Sequence, residues 1–134
     1  MIKEDYASYE VAKLLEEKGF PIIEHLFMYV NKDGNLMTDH QACLKMTNEE
    51  YRAFFDDYIP TVTQALAMKW LREEKNIFII IEPHLYDYIN EKNKSYVCSL
   101  WQSDNYYENL LSKDFSSYEE TVEAALKFCL TELI

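Results

Sequence analysis

Between Thr61 and Glu82 the chain reads TVTQALAMKWLREEKNIFIIIE, and its apolar spacing changes from helical to strand-like across the single residue Asn76. Leu66, Ala67, Trp70 and Leu71 form one helical stripe, widened by Ala65 and Met68, with Gln64, Arg72 and Lys75 on the opposite, wet side. Thr61-x-x-Gln64 matches a capping box, so the helix is expected to open at Thr61, with Trp70 in the core. Past Asn76, Ile77-Phe78-Ile79-Ile80-Ile81 has no polar face, which predicts a central strand buried on both sides. A helix feeding directly into such a strand requires a layered core in which helices pack on a sheet.

The flanking sequence supplies the remaining elements. Ser8 is an N-cap candidate for a helix over 9–18, with Val11, Leu14 and Leu15 as its apolar stripe. Gly19 ends it as a C′ residue, Phe20 is placed to contact Leu15, and Pro21 blocks its resumption. Ile22 to Val30 reads as a strand, and Asp33-Gly34 provides the positive φ of a hairpin turn into a short strand over Leu36–Thr38. Thr47 and Glu50 fit a capping box that opens a helix over 48–57, closed by Pro60. Leu85 to Ile89 is a candidate short strand, and Ser95 to Gln102 alternates as a clear one. Ser103 to Asp114 is acidic and Tyr-rich, without a defined period. The last helix opens at Ser116 or Ser117, with Tyr118, Val122, Ala125, Leu126, Cys129 and Leu133 on its buried face. The order predicts one α+β domain over residues 1–134, with a small, mostly antiparallel sheet of about four strands on three or four helices.

Composition narrows the function classes. The chain carries 24 acidic against 13 basic residues, a formal net charge of −11. Nucleic-acid binding and attraction to an anionic membrane both draw on Lys and Arg, and this balance argues against each. With 2 glycines, one a helix cap and one a turn, no Gly-rich loop is available to cradle phosphates. The cysteines Cys43, Cys98 and Cys129 are odd in number and lack CxxC spacing. They suit a reducing compartment better than a metal or disulfide framework. The N-terminal stretch MIKEDYASYE lacks an apolar signal region, and a cytoplasmic setting is expected.

No catalytic signature emerges. His25, His40 and His84 each stand beside or near an acid, but in the adjacent pairs Glu24-His25 and Asp39-His40 a strand would point the two side chains to opposite faces, and a metal site needs three or four converging ligands. GxSxG, HExxH and paired Glu-x-x-His are absent, adjacent acids such as Asp56-Asp57 read as solvated faces, and no cofactor is implied. The notable count is 11 Tyr with 7 Phe and 2 Trp. Trp101, close to Tyr106 and Tyr107, combines aromatic anchors with polar neighbours, the makeup of an interaction patch.

The segments TVTQALAMKWLREEKNIFIII, FSSYEETVEAALKFCLTELI and SYEVAKLLEEKGF together resemble a family of small uncharacterised proteins found in Bacteroidetes genomes, their prophages and mobile elements. The resemblance spans most of the chain outside 39–58 and 83–94. It implies a bacterial or phage accessory protein, and it carries no functional residues. The leading expectation is a non-catalytic domain that binds another protein. Two alternatives stand beside it: an acidic decoy for a basic nucleic-acid-binding protein, and an enzyme whose site gathers distant residues such as His25, His40 and His84. A homodimer covering an exposed sheet edge is also compatible with the sequence.

Overall fold

The computed structural model describes residues 4–21, 28–38, 47–84, 95–108, 111 and 115–134, apart from the side chains of Tyr51, Arg52 and Phe55. Two compact units divide the chain, residues 1–63 and 64–134. Each is an α+β assembly, and among the described residues each holds one three-stranded antiparallel sheet in place of a single sheet of about four strands.

The first unit begins with α1 (Tyr9–Glu17). Ser8 Oγ accepts from the Val11 amide at 3.3 Å, as an N-cap should. At the other end Gly19 adopts φ 88°, and the amides of Gly19 and Phe20 donate back to the carbonyls of Glu16 (3.2 Å) and Leu15 (2.9 Å). That bond pair is a Schellman closure, and it seats Phe20 in the core with Val11, Ala12 and Leu15. The strands are β1 (Met28–Asn31) and β2 (Leu36–Met37), joined by a turn in which Asn31 Oδ1 accepts from the Asp33 and Asn35 amides. Gly34 at φ 84° provides the turn's left-handed residue. Helix α2 (Asn48–Asp57) opens on the expected capping box, with Thr47 and Glu50 exchanging side chain-to-amide bonds.

Pro60 does more than close that helix. It lies within β3 (Tyr58–Thr61), which pairs antiparallel with β1 and forms an edge of the order β2-β1-β3. An edge position tolerates a residue that cannot donate to the ladder. Thr61 therefore belongs to a strand and does not cap the next helix: its hydroxyl donates to the Ala7 carbonyl at 2.7 Å. Under this sheet Phe54 meets Tyr29 edge-on at 5.2 Å and stacks on Tyr58 at 4.5 Å.

In the second unit, α3 (Gln64–Glu74) leads through Asn76 into β4 (Ile77–Pro83), followed by β5 (Tyr96–Gln102), β6 (Asn105–Tyr107) and α4 (Tyr118–Phe128). Asn76 sits at φ 55°, a left-handed conformation that Asn tolerates better than most residues, and it turns the chain from helix to strand in one step. Gln64 lies inside rather than on a wet side. Its amide nitrogen donates to the Glu119 carbonyl (3.1 Å) and to Glu123 Oε2 (3.0 Å), clamping α3 to α4. Trp70 is half-buried, with Lys75 Nζ 5.4 Å from its ring centre, so its indole is packed at the core margin.

Ser117 is the cap of α4, its Oγ accepting from the Glu120 amide at 3.1 Å. After Phe128 the backbone widens into a π-helical turn over Cys129–Leu133. Widening shifts the phase of the buried face. Leu130 joins Val122, Ala125, Leu126 and Cys129 in full burial, whereas Tyr118 at the far end is exposed instead of buried. Among the described residues no helix is long and apolar enough to cross a membrane.

Candidate functional site

Among the described residues the sheet of the second unit has the order β4-β5-β6, with β4 at an edge and β5 central. Register then sorts the side chains. Ile77, Ile79 and Ile81 share a face with Gln102, Leu100 and Cys98 on β5. Ile77, Leu100 and Cys98 are buried on this face, which α3 and α4 cover. Gln102 on the same face donates to the Leu133 carbonyl at 3.3 Å and ties the π-helical turn to the sheet.

The other face carries Phe78, Ile80 and Glu82 on β4 beside Trp101, Ser99 and Val97 on β5. Phe78 is 43% exposed, which overturns the expectation that β4 is buried on both sides. An unbroken apolar run looks the same in a central strand and in an edge strand with one wet face. Phe78 is the cross-strand partner of Trp101, and Trp101 is in turn the partner of Tyr106 on β6. Three aromatic side chains therefore stand in one row across three strands. Trp101 and Tyr106 are 43% and 47% exposed, with ring centres 4.8 Å apart and planes inclined by 33°.

Of the patch expected from sequence, Trp101 and Tyr106 come together. Tyr107 is exposed but pairs with buried Leu100, so alternation directs it to the opposite face. Phe78 is the member that sequence reasoning placed in the core. The row is held by a tight hairpin: Gln102 pairs with Asn105 across Ser103 and Asp104, with Ser103 at φ 55°. The Ser103 amide donates to the Asn76 carbonyl at 3.3 Å, which fixes the hairpin to the start of β4.

Other chemistry-bearing groups are dispersed. Cys98 and Cys129 are free thiols in the core. Burial pushes Cys98 up to about 11, and burial with the added influence of Cys98 pushes Cys129 up to about 12. Neither is poised as a thiolate nucleophile. His84 donates its backbone amide to the Ser95 carbonyl, and His25, His40, Cys43 and the candidate strand Leu85–Ile89 lie outside the described residues. Among the described residues no three His, Cys, Asp or Glu side chains converge as metal ligands. The first unit has an open cleft of about 550 Å³ where Asp33, Asp56 and Asp57 face Tyr58, with Lys32 Nζ 5.9 Å from the Tyr9 ring centre. Its carboxylates are solvent-exposed.

No family model, curated protein or solved structure matches this chain.

Proposed function

We propose that this chain is a non-catalytic protein-binding domain, an accessory protein of a bacterial genome or mobile element that works in the cytoplasm. The observation that carries the reading is the exposed Phe78–Trp101–Tyr106 row on an antiparallel sheet. Aromatic residues at about 45% exposure, each with some 150–250 Å² to bury, present roughly 200–330 Å² of apolar surface together. That is the scale of an interface centre and less than half of the ~800 Å² each partner commonly contributes. Ile80, Val97 and the polar hairpin tip extend the surface and supply its rim. A different protein suits this face better than a second copy, because two chains of charge −11 repel as they approach.

Affinity capture with the purified chain, compared with a Phe78→Ala/Tyr106→Ala variant shown by circular dichroism to be folded, tests the reading. A partner held by the parent chain and lost by the variant is expected. A partner retained equally by both would place the binding surface elsewhere.

A further inference from the structure

The partner's chemistry follows from what surrounds the aromatic row, and this inference rests on the binding-face reading. We propose that the face receives an arginine-bearing segment of the partner, with a guanidinium stacked on the Trp101–Tyr106 pair and the segment held beside carboxylates of the same sheet. Aromatic π-faces attract cations, and Trp does so most strongly. Elsewhere the chain satisfies two of its surface aromatics with its own cations: Lys75 lies over Trp70 at 5.4 Å, and Lys32 over Tyr9 at 5.9 Å. The strands that build the row offer nothing comparable. Residues 76–84 and 95–108 contain no Lys or Arg, yet include Glu82, Asp104 and Glu108, all exposed.

The placement of those acids fits the same ligand. Asp104 occupies the hairpin tip that joins Trp101's strand to Tyr106's, and Glu82 shares the outer face of β4 with Phe78 about 13 Å along the strand, within reach of a further arginine of the segment rather than of the stacked one. A guanidinium is planar and weakly hydrated, so it can stack on an aromatic ring while its edge donates to a carboxylate. An ammonium also makes a cation–π contact, as Lys75 and Lys32 do, but it has no flat face to stack and is more strongly hydrated. The net charge of −11 further steers a cationic segment toward the chain and disfavours a second copy as occupant.

The test is a titration of the ¹⁵N-labelled full chain, at physiological salt, with the blocked peptide Arg-Gly-Arg-Gly-Arg. Its counterparts with lysine and with neutral, isosteric citrulline complete the series. The arginine peptide is expected to move the Trp101 indole N–H signal saturably, the lysine peptide to bind more weakly, and the citrulline peptide to lose the effect. Phe78→Ala and Tyr106→Ala leave the net charge unchanged, so they separate stacking from general attraction. Tyr106→Ala should weaken binding by about 2–5-fold, the range corresponding to one exposed cation–π contact, and Phe78→Ala, which removes only the ring flanking Trp101, by less. Equal binding of citrulline, undiminished binding by these variants, or shifts centred on the Asp56–Asp57 cleft would each overturn the arginine assignment. Dimerisation through the face in the absence of peptide would overturn it as well. If a captured partner still depends on Phe78 and Tyr106 but is not displaced by the arginine peptide, this inference falls and the binding-face reading stands.

Discussion

Asn76 offers a sharp test of how the second unit is built. Its backbone lies at φ 55°, between the last turn of α3 and the first residue of β4. For most L-residues that conformation costs about 1–2 kcal/mol, and Asn bears less of it. The Asn76 side chain adds little, since its one bond, Nδ2 to Ser103 Oγ, is exposed and 3.5 Å long. Asn76→Ala should therefore lower stability by about 1 kcal/mol, and Asn76→Val by about 2 kcal/mol because its branched side chain is worst suited to the site. Asn76→Gly removes the strain but frees the unfolded chain by about 0.4–1 kcal/mol, so it should fall near neutral. Both tryptophans, Trp70 and Trp101, lie in residues 64–134, so denaturant titration followed by tryptophan emission reads this unit. An order of stability with Gly close to Asn, then Ala, then Val is expected. If Gly costs as much as Ala, the side-chain bond to Ser103 carries the junction and the backbone argument is wrong.

Further outcomes follow from the same structure. Gly19 sits at φ 88° with open space where a Cβ would go, so Gly19→Ala should cost about 1–2 kcal/mol through backbone strain alone, measured by thermal melting. The buried thiols have folded pKa values of about 11 and about 12, raised from 9.0. Above pH 9 the unfolded chain has released protons that the folded chain retains, so stability should fall as pH rises from 9 toward 12. The Cys98→Ala/Cys129→Ala variant should show a shallower fall, and native Cys98 and Cys129 should resist alkylation at pH 8 until the chain is unfolded. Phe78→Ser should lower stability by less than about 1 kcal/mol, the scale of one exposed cross-strand pair, when followed by urea denaturation. A loss of several kcal/mol would mean that Phe78 is core after all.

Much of this architecture is legible in the sequence wherever a local rule decides the outcome. Ser8, Thr47 and Ser117 cap helices because their hydroxyls reach amides a fixed three residues on. Gly19 and Gly34 take positive φ where the chain must turn. The α+β class follows from those elements. The errors fall where tertiary partners decide. Thr61 and Gln64 have the spacing of a capping box, but each has a distant partner, Ala7 and the Glu119–Glu123 turn respectively. The strand around Pro60 is silent locally, because only pairing with β1 makes it a strand.

The same limit governs the candidate site. Trp101 and Tyr106 are close enough in sequence for a hairpin to join them, and their type marks them as surface anchors. Phe78 lies 23 residues before Trp101 in an apolar run. Nothing in that run distinguishes an edge strand from a central one, so its place in the row becomes visible only through the β4–β5 register. The phase shift at Cys129–Leu133 is hidden for a related reason: a π-helical turn has no strong local signature, and Leu133 is assigned to the buried face by assuming an unbroken α-helix.

The central claim is that the outer face of the β4–β5–β6 sheet is the surface through which this chain works. It is tested most directly by placing a photo-crosslinking amino acid at Phe78 or Tyr106, and for comparison at Arg72 or Glu120, which are exposed on α3 and α4. The variants would be irradiated in cells that naturally contain the protein. The account predicts one shared adduct from Phe78 and Tyr106 and none from the helix positions. Adducts from Arg72 or Glu120, with none from the aromatic row, would contradict it.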